Sequence, residues 1–231
     1  MPARHWTRPF RGMLAFALMV GWTAVAMAQD SIQEQVQADL ERGQTALNEQ
    51  DFATARDAYN SAIKLLEQNF SSNPLAYVGR AMAYAGLDEK EKALADFQKA
   101  EQLAGNSGQT LPPEVLYARG MFFLDLGGQF VGAALPDLQA AYESDTENMD
   151  YIFALGKVYA LVSPQAPQAA PQAIEMLNKF LEQNADHAEG LRLRGQAYAA
   201  QRKFDEAMAD TRRSLELEPD NHEAHFAIGV L

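Results

Sequence analysis

Residues 188–221 read AEGLRLRGQAYAAQRKFDEAMADTRRSLELEPDN, two helical patterns set around a polar break at Gln201–Lys203. In the first, Leu191, Gly195 and Tyr198 fall at i, i+4 and i+7 and share one helix face. In the second, Phe204, Ala207, Met208, Leu215 and Leu217 carry the apolar stripe, and Pro219 stops the helix just beyond it. The small residues Gly195 and Ala207 let two antiparallel helices approach closely, and Tyr198 fills the space beside them. A thirty-four-residue unit of this kind decides the fold if it recurs.

The unit resembles a tetratricopeptide repeat, whose pattern places W-x₂-L-G-x₂-Y in the first helix, then A-x₃-F, then a closing proline. Gly195, Tyr198, Ala207 and Pro219 match it, and Phe204 is the aromatic that opens the second helix. Leu191 stands for the Trp, Arg194 for the Leu and Thr211 for the Phe.

The same register recurs along the chain. Over 36–69 it places Gly43, Ala46, Phe52, Ala55, Tyr59 and Ala62, with Asp51 as a cap for the second helix. Over 74–107 it places Tyr77, Ala81, Tyr84, Ala93, Phe97 and Ala100, behind Pro74 at a first helical position. Turn-formers from Gly105 to Pro113 read as a linker. Over 113–146 come Leu116, Gly120, Phe123, Ala134, Leu138 and Ala141, with two extra residues around Gly127-Gly128. Pro136 predicts that the second helix of this unit starts late, near Gly132 or Ala133. Over 149–185 come Ile152, Leu155, Gly156, Tyr159, Ala173, Leu177 and Phe180, split by a swollen turn, SPQAPQAAPQ, that predicts an exposed, extended loop. A half repeat, 222–231, follows the unit at 188–221. The resemblance therefore implies an all-α, right-handed superhelical solenoid of helix-turn-helix hairpins, five repeats and a half, occupying 29–231. Stability in such an array is roughly additive along the chain.

Arg4, Arg8 and Arg11 precede an uncharged run from Gly12 to Gln29 that ends in Ala26-Met27-Ala28. That layout predicts a secretory signal peptide over 1–28, a mature chain from near Gln29, and export to the periplasm or beyond the cell, with no stable membrane insertion after cleavage. The whole chain carries 19 basic and 31 acidic side chains, a net −12. Loss of three arginines takes the mature balance further negative, which disfavours nucleic acid and anionic lipid as partners. With no cysteine, thiolate catalysis and thiolate metal sites are excluded.

No catalytic constellation is present. His222-Glu223-Ala224-His225 is one residue short of H-E-x-x-H and has no third ligand in view, so it reads as surface or packing histidine. There is no G-x-S-x-G elbow and no phosphate loop. No cofactor is expected. Asp96, Asp137 and Asp210 recur at one repeat position and read as structural.

The resemblance implies a non-enzymatic adaptor or scaffold that binds a protein or peptide on the concave surface lined by the first helices. By register that surface takes Leu40, Gln44, Leu47 and Asn48 from the first repeat, Val78 and Met82 from the second, and Tyr117, Met121 and Leu124 from the third. Phe153 and Lys157 follow from the fourth, Arg192 and Gln196 from the fifth, and Phe226 from the half repeat. Their apolar share points to an apolar or amphipathic partner segment. Leu40, Val78, Met82 and Tyr117 stand where a carboxylate-clamping groove needs Lys, Asn and Arg, so that ligand class is disfavoured. Phe226, Ile228, Val230 and Leu231 in a short last helix predict self-association or fraying at that edge. The alternative is an accessory repeat region of a longer enzyme or of a secretion or assembly component.

Overall fold

A computed structural model describes residues 27–108 and 110–230. The leader expected over 1–28 falls almost wholly outside the described residues, as does Leu231. The helices are α1 (Met27–Asn48), α2 (Phe52–Gln68), α3 (Pro74–Gly86), α4 (Lys90–Asn106), α5 (Pro113–Leu126), α6 (Ala134–Ser144), α7 (Met149–Val162), α8 (Ala170–Gln183), α9 (Ala188–Ala200), α10 (Phe204–Leu217) and α11 (His222–Val230). Short 3₁₀ turns cover Gly128–Ala133 and Pro167–Ala169. Among the described residues there is no strand, and no helix is long and apolar enough to cross a membrane. The fold is an all-α helical-repeat solenoid.

The chain divides into two compact units, Met1–Ala118 and Arg119–Leu231. In the first, α1 packs on α2, α2 on α3 and α3 on α4, while α1 also reaches α3. The wedge is Tyr59 of α2, which is buried and inserted between two glycines. A Cβ on Gly43 of α1 would lie 2.8 Å from the Tyr59 ring, and one on Gly79 of α3 would lie 2.2 Å from it. Any larger residue at either place would collide, so three helices owe their spacing to one ring and two missing side chains. The Tyr59 hydroxyl finds no partner among protein atoms, and burial pushes its phenol well above the ordinary range.

In the second unit α6 packs on α7, α7 on α8, α8 on α9, α9 on α10 and α10 on α11, and α7 also touches α9. Gly120 of α5 lies beneath Leu138 of α6, with 2.6 Å from a would-be Cβ to its Cγ. Gly156 meets Leu177 and Gly195 meets Thr211 in the same way.

Local chemistry explains several helix ends. Asp51 accepts the Thr54 N–H at 3.1 Å and Asn73 accepts that of Leu75 at 2.9 Å, capping α2 and α3. The turns within three hairpins place a non-glycine residue in the left-handed region, at Gln50 (φ 62), Asp88 (φ 64) and Arg202 (φ 60), and Phe70 (φ 52) does so between α2 and α3. The equivalent turn after α5 uses Gly127 (φ 66), where the conformation costs least.

One helix start follows expectation and two connecting stretches depart from it. Pro136 lies in the first turn of α6, which starts at Ala134; the missing N–H there has no intrahelical partner to lose, so the ring is accommodated. The stretch from Ser163 to Gln172 is not extended. Ser163 is fully buried and donates to Ala160 O at 2.7 Å, and α8 already begins at Ala170. Its alanines favour helix and two of its three prolines, Pro167 and Pro171, sit in first turns, so most of the insertion is absorbed. Likewise α4 runs on to Asn106, taking in the start of the expected linker.

Candidate partner-binding face

The first helices carry the expected face, and burial sorts its residues. In the first unit Leu40, Leu47, Val78, Met82 and Tyr117 are all buried, between 0% and 6% exposed. Side chains this enclosed have no surface to offer a ligand without repacking; the sequence assigns them to a groove, whereas the fold uses them as core. Gln44 and Asn48 stay half-buried, and the Gln44 amide donates to Asn48 Oδ1 at 3.1 Å.

In the second unit the register leaves Met121, Leu124, Phe153, Lys157, Arg192 and Gln196 half-buried, and Phe226 73% exposed. Here the structure brings several of them together. Lys157 of α7 donates to Glu189 of α9 at 2.6 Å, and Arg192 of α9 meets Glu223 of α11 at 2.9 Å. The Gln196 amide of α9 donates to the Ala160 carbonyl of α7 at 3.0 Å. Charges thus alternate along the strip Lys157, Glu189, Arg192, Glu223, stitching three successive first helices across one face. Beside Lys157, the Phe153 ring packs on Phe180 at 4.6 Å and on His187 at 4.8 Å. His187 caps α9 by accepting the Gly190 N–H at 3.0 Å.

The electrostatics of the strip follow from its geometry. Burial pushes the Glu189 carboxyl upward, but the Lys157 ammonium in contact with it, helped by Arg192, outweighs that and holds it below the ordinary range. Glu189 is therefore a carboxylate at neutral pH. Lys157 and Arg192 are 23% and 11% exposed, whereas Glu223 is 72% exposed. The cations are tucked in, Glu189 is half-buried and Glu223 faces outward.

Glu189 and Glu223 are absent from the sequence-derived set, although a signal existed. Lys157 and Glu189 are 32 residues apart, a little under one repeat period, and that spacing places opposite charges on adjacent first helices. The recurring aspartates are explained in the same terms. Arg80 binds Asp96 at 2.6 and 2.7 Å, Arg119 binds Asp137 at 2.6 and 2.7 Å, and Arg194 binds Asp210 at 2.7 and 2.7 Å, each a two-pronged pair joining the two helices of one hairpin. Asn60 and Asn178, from the hairpins before, accept from Arg80 and Arg194 at 2.8 Å. These pairs fix hairpin geometry and lie apart from the strip. A shallow pocket of about 330 Å³ between α8 and α9 is lined by Asn178, Leu181 and the already paired Arg194. Among the described residues no group of three metal-ligating side chains comes together.

Comparison with known proteins agrees with this architecture. Family models for the tetratricopeptide repeat match residues 40–108 and 188–221. No curated protein matches the chain significantly. Among solved structures, YrrB, described as a TPR protein with an unusual peptide-binding site, is similar at TM-score 0.68 and 20% identity, over 89% of this chain and 100% of YrrB. A MamA structure is similar at TM-score 0.59 and 22% identity, over 80% of this chain and 93% of MamA. MamA residues 41 to the end from Desulfovibrio magneticus RS-1 give TM-score 0.60 and 18% identity, over 81% and 97%. At such identities the likeness concerns the fold.

Proposed function

We propose that this chain, which carries tetratricopeptide repeats over 40–108 and 188–221, is an exported, non-enzymatic adaptor that holds a partner's apolar or amphipathic segment against the inner face of its second unit. The fold is that of a protein-interaction module. The observation that carries it is the contrast in burial along the first helices. Leu40, Leu47, Val78, Met82 and Tyr117 are enclosed, while Met121, Leu124 and Phe153 keep part of their surface. Apolar surface left in water along one side of an otherwise well-packed array favours association. The likeness to YrrB, a protein whose description includes a peptide-binding site, supports a peptide-like ligand.

Export rests on the basic head, uncharged run and Ala26-Met27-Ala28 of the leader. It is tested by N-terminal sequencing of protein recovered from the periplasm or medium, where a start near Gln29 is expected and an intact Met1 in a cytosolic fraction overturns it. The adaptor role is tested by crosslinking pull-down with the wild type and with Leu124→Glu/Phe226→Glu. Loss of a specific partner with an unchanged helical circular-dichroism spectrum is expected. An unchanged partner set would remove this face from consideration.

A further inference from the structure

The inner face of the second unit has an unequal electrostatic character that its composition alone does not show. Its two cations are consumed internally, Lys157 by Glu189 at 2.6 Å and Arg192 by Glu223 at 2.9 Å, and both are largely covered. The carboxylates of those pairs keep more of their surface, 37% for Glu189 and 72% for Glu223. Asp150, in the first turn of α7, is exposed as well. Burial opposes the charge on Glu189 and Lys157 more than restores it, so this acid does not neutralise near pH 7. Across the unit acidic side chains outnumber basic ones nearly two to one. An incoming carboxylate must compete with Glu189 or Glu223 for a cation already bound in contact. An incoming ammonium or guanidinium needs only to add itself to an acid that still faces water.

We propose that the partner segment taken by this face is cationic and amphipathic, with its Lys or Arg residues meeting Glu189, Glu223 and Asp150 and its apolar residues meeting Phe226, Phe153 and Leu124. This rests on the adaptor reading above and adds the sign of the ligand's charge. Asp150 and Phe153 share α7, Glu223 and Phe226 share α11, and Glu189 lies on α9 between them in repeat order, so a segment with one apolar stripe and one basic stripe satisfies both at once. Charge of this sign also speeds encounter with a basic segment and slows it with an acidic one.

The test is fluorescence anisotropy of the purified protein with two labelled amphipathic peptides of one pattern, one built from Leu and Lys, the other from Leu and Glu. The Leu/Lys peptide is expected to bind at least about tenfold more tightly, and to weaken as salt is raised. Glu223→Lys, an exposed position that leaves packing alone, is expected to weaken it about tenfold, and Glu189→Gln by less. Phe226→Ser weakens it as well. Glu175→Lys, the same charge change on an exposed position of α8, is expected to leave it unaltered. Tighter binding of the Leu/Glu peptide overturns the inference while the adaptor reading stands. Binding of the Leu/Lys peptide that ignores both Glu223→Lys and Phe226→Ser is non-specific attraction to an acidic chain and overturns it too. Binding of neither peptide means that this face is not the docking site, and both readings fall together.

Discussion

Consider replacing the buried ion pair Arg119–Asp137 by the apolar pair that the protein itself uses one repeat later. Asp137 immediately precedes Leu138, the residue packed on Gly120, and Arg119 immediately precedes that glycine. In the next hairpin the same two positions, before Gly156 and before Leu177, are Leu155 and Met176, 2% and 8% exposed. The Arg119 and Asp137 side chains are only 9% and 6% exposed, so solvent screens their interaction little. Arg119→Leu alone leaves a carboxylate enclosed without its cation, and Asp137→Met alone strands the guanidinium. Each is expected to cost about 3–5 kcal/mol. Arg119→Leu/Asp137→Met removes both charges together and fills the space with carbon. It is expected to lie within about 1 kcal/mol of the wild type, or above it. For a chain of this length that is a melting point lower by roughly 6–20 °C in either single variant and nearly restored in the double. Urea titration monitored by circular dichroism is the assay, because guanidinium would screen the charges under study. If the double variant is as unstable as the worse single one, the ion pair is doing something that an apolar pair cannot do, and the comparison with Leu155 and Met176 does not carry.

Three further outcomes are expected. Gly79→Ala places a Cβ 2.2 Å from the Tyr59 ring and is expected to destabilise the first unit by about 1–3 kcal/mol despite alanine's better helix propensity, with Tyr59→Leu restoring part of the loss on the same urea curve. Tyr59→Phe, which removes an enclosed hydroxyl that no protein atom satisfies, is expected to be neutral or to stabilise by about 1 kcal/mol, again in urea. Glu189 has a depressed folded-state pKa, so its contribution is present above its ordinary value of 4.5 and is lost as pH falls through the folded value. The stability gap between wild type and Glu189→Gln should therefore be full at neutral pH and narrow as pH falls below 4.5; a gap that widens on acidification would contradict it.

The helical hairpins were legible because repetition multiplies a weak signal. Gly43, Gly120, Gly156 and Gly195 recur in register, and the structure shows each pressed against a side chain from its own hairpin's second helix. Capping by Asp51 and the late start of the helix around Pro136 were equally readable, since both depend on a few adjacent residues. What the sequence could not convey was how completely Val78 and Met82 are enclosed, because register fixes the side of a helix on which a residue lies but not what covers it. Gly79 is a related case. It lies off the repeat pattern, and its role appears only once the Tyr59 ring of the preceding hairpin is seen against it. The prolines of the swollen turn after α7 suggest an extended loop, but its alanines favour helix and both prolines flanking the helix start are compatible with a first turn. The acidic partners of Lys157 and Arg192 were missed for a different reason. The repeat pattern directs attention to what recurs, and Glu189 and Glu223 matter through pairing with a neighbour about one period away.

Docking on the inner face of the second unit is tested most directly by hydrogen exchange with and without the labelled Leu/Lys peptide. Binding is predicted to slow exchange in Met149–Val162, Ala188–Ala200 and His222–Val230, the three helices that carry the charged strip, and to leave Ala170–Gln183 and Phe204–Leu217 as they were. Protection confined to those two second helices would contradict it.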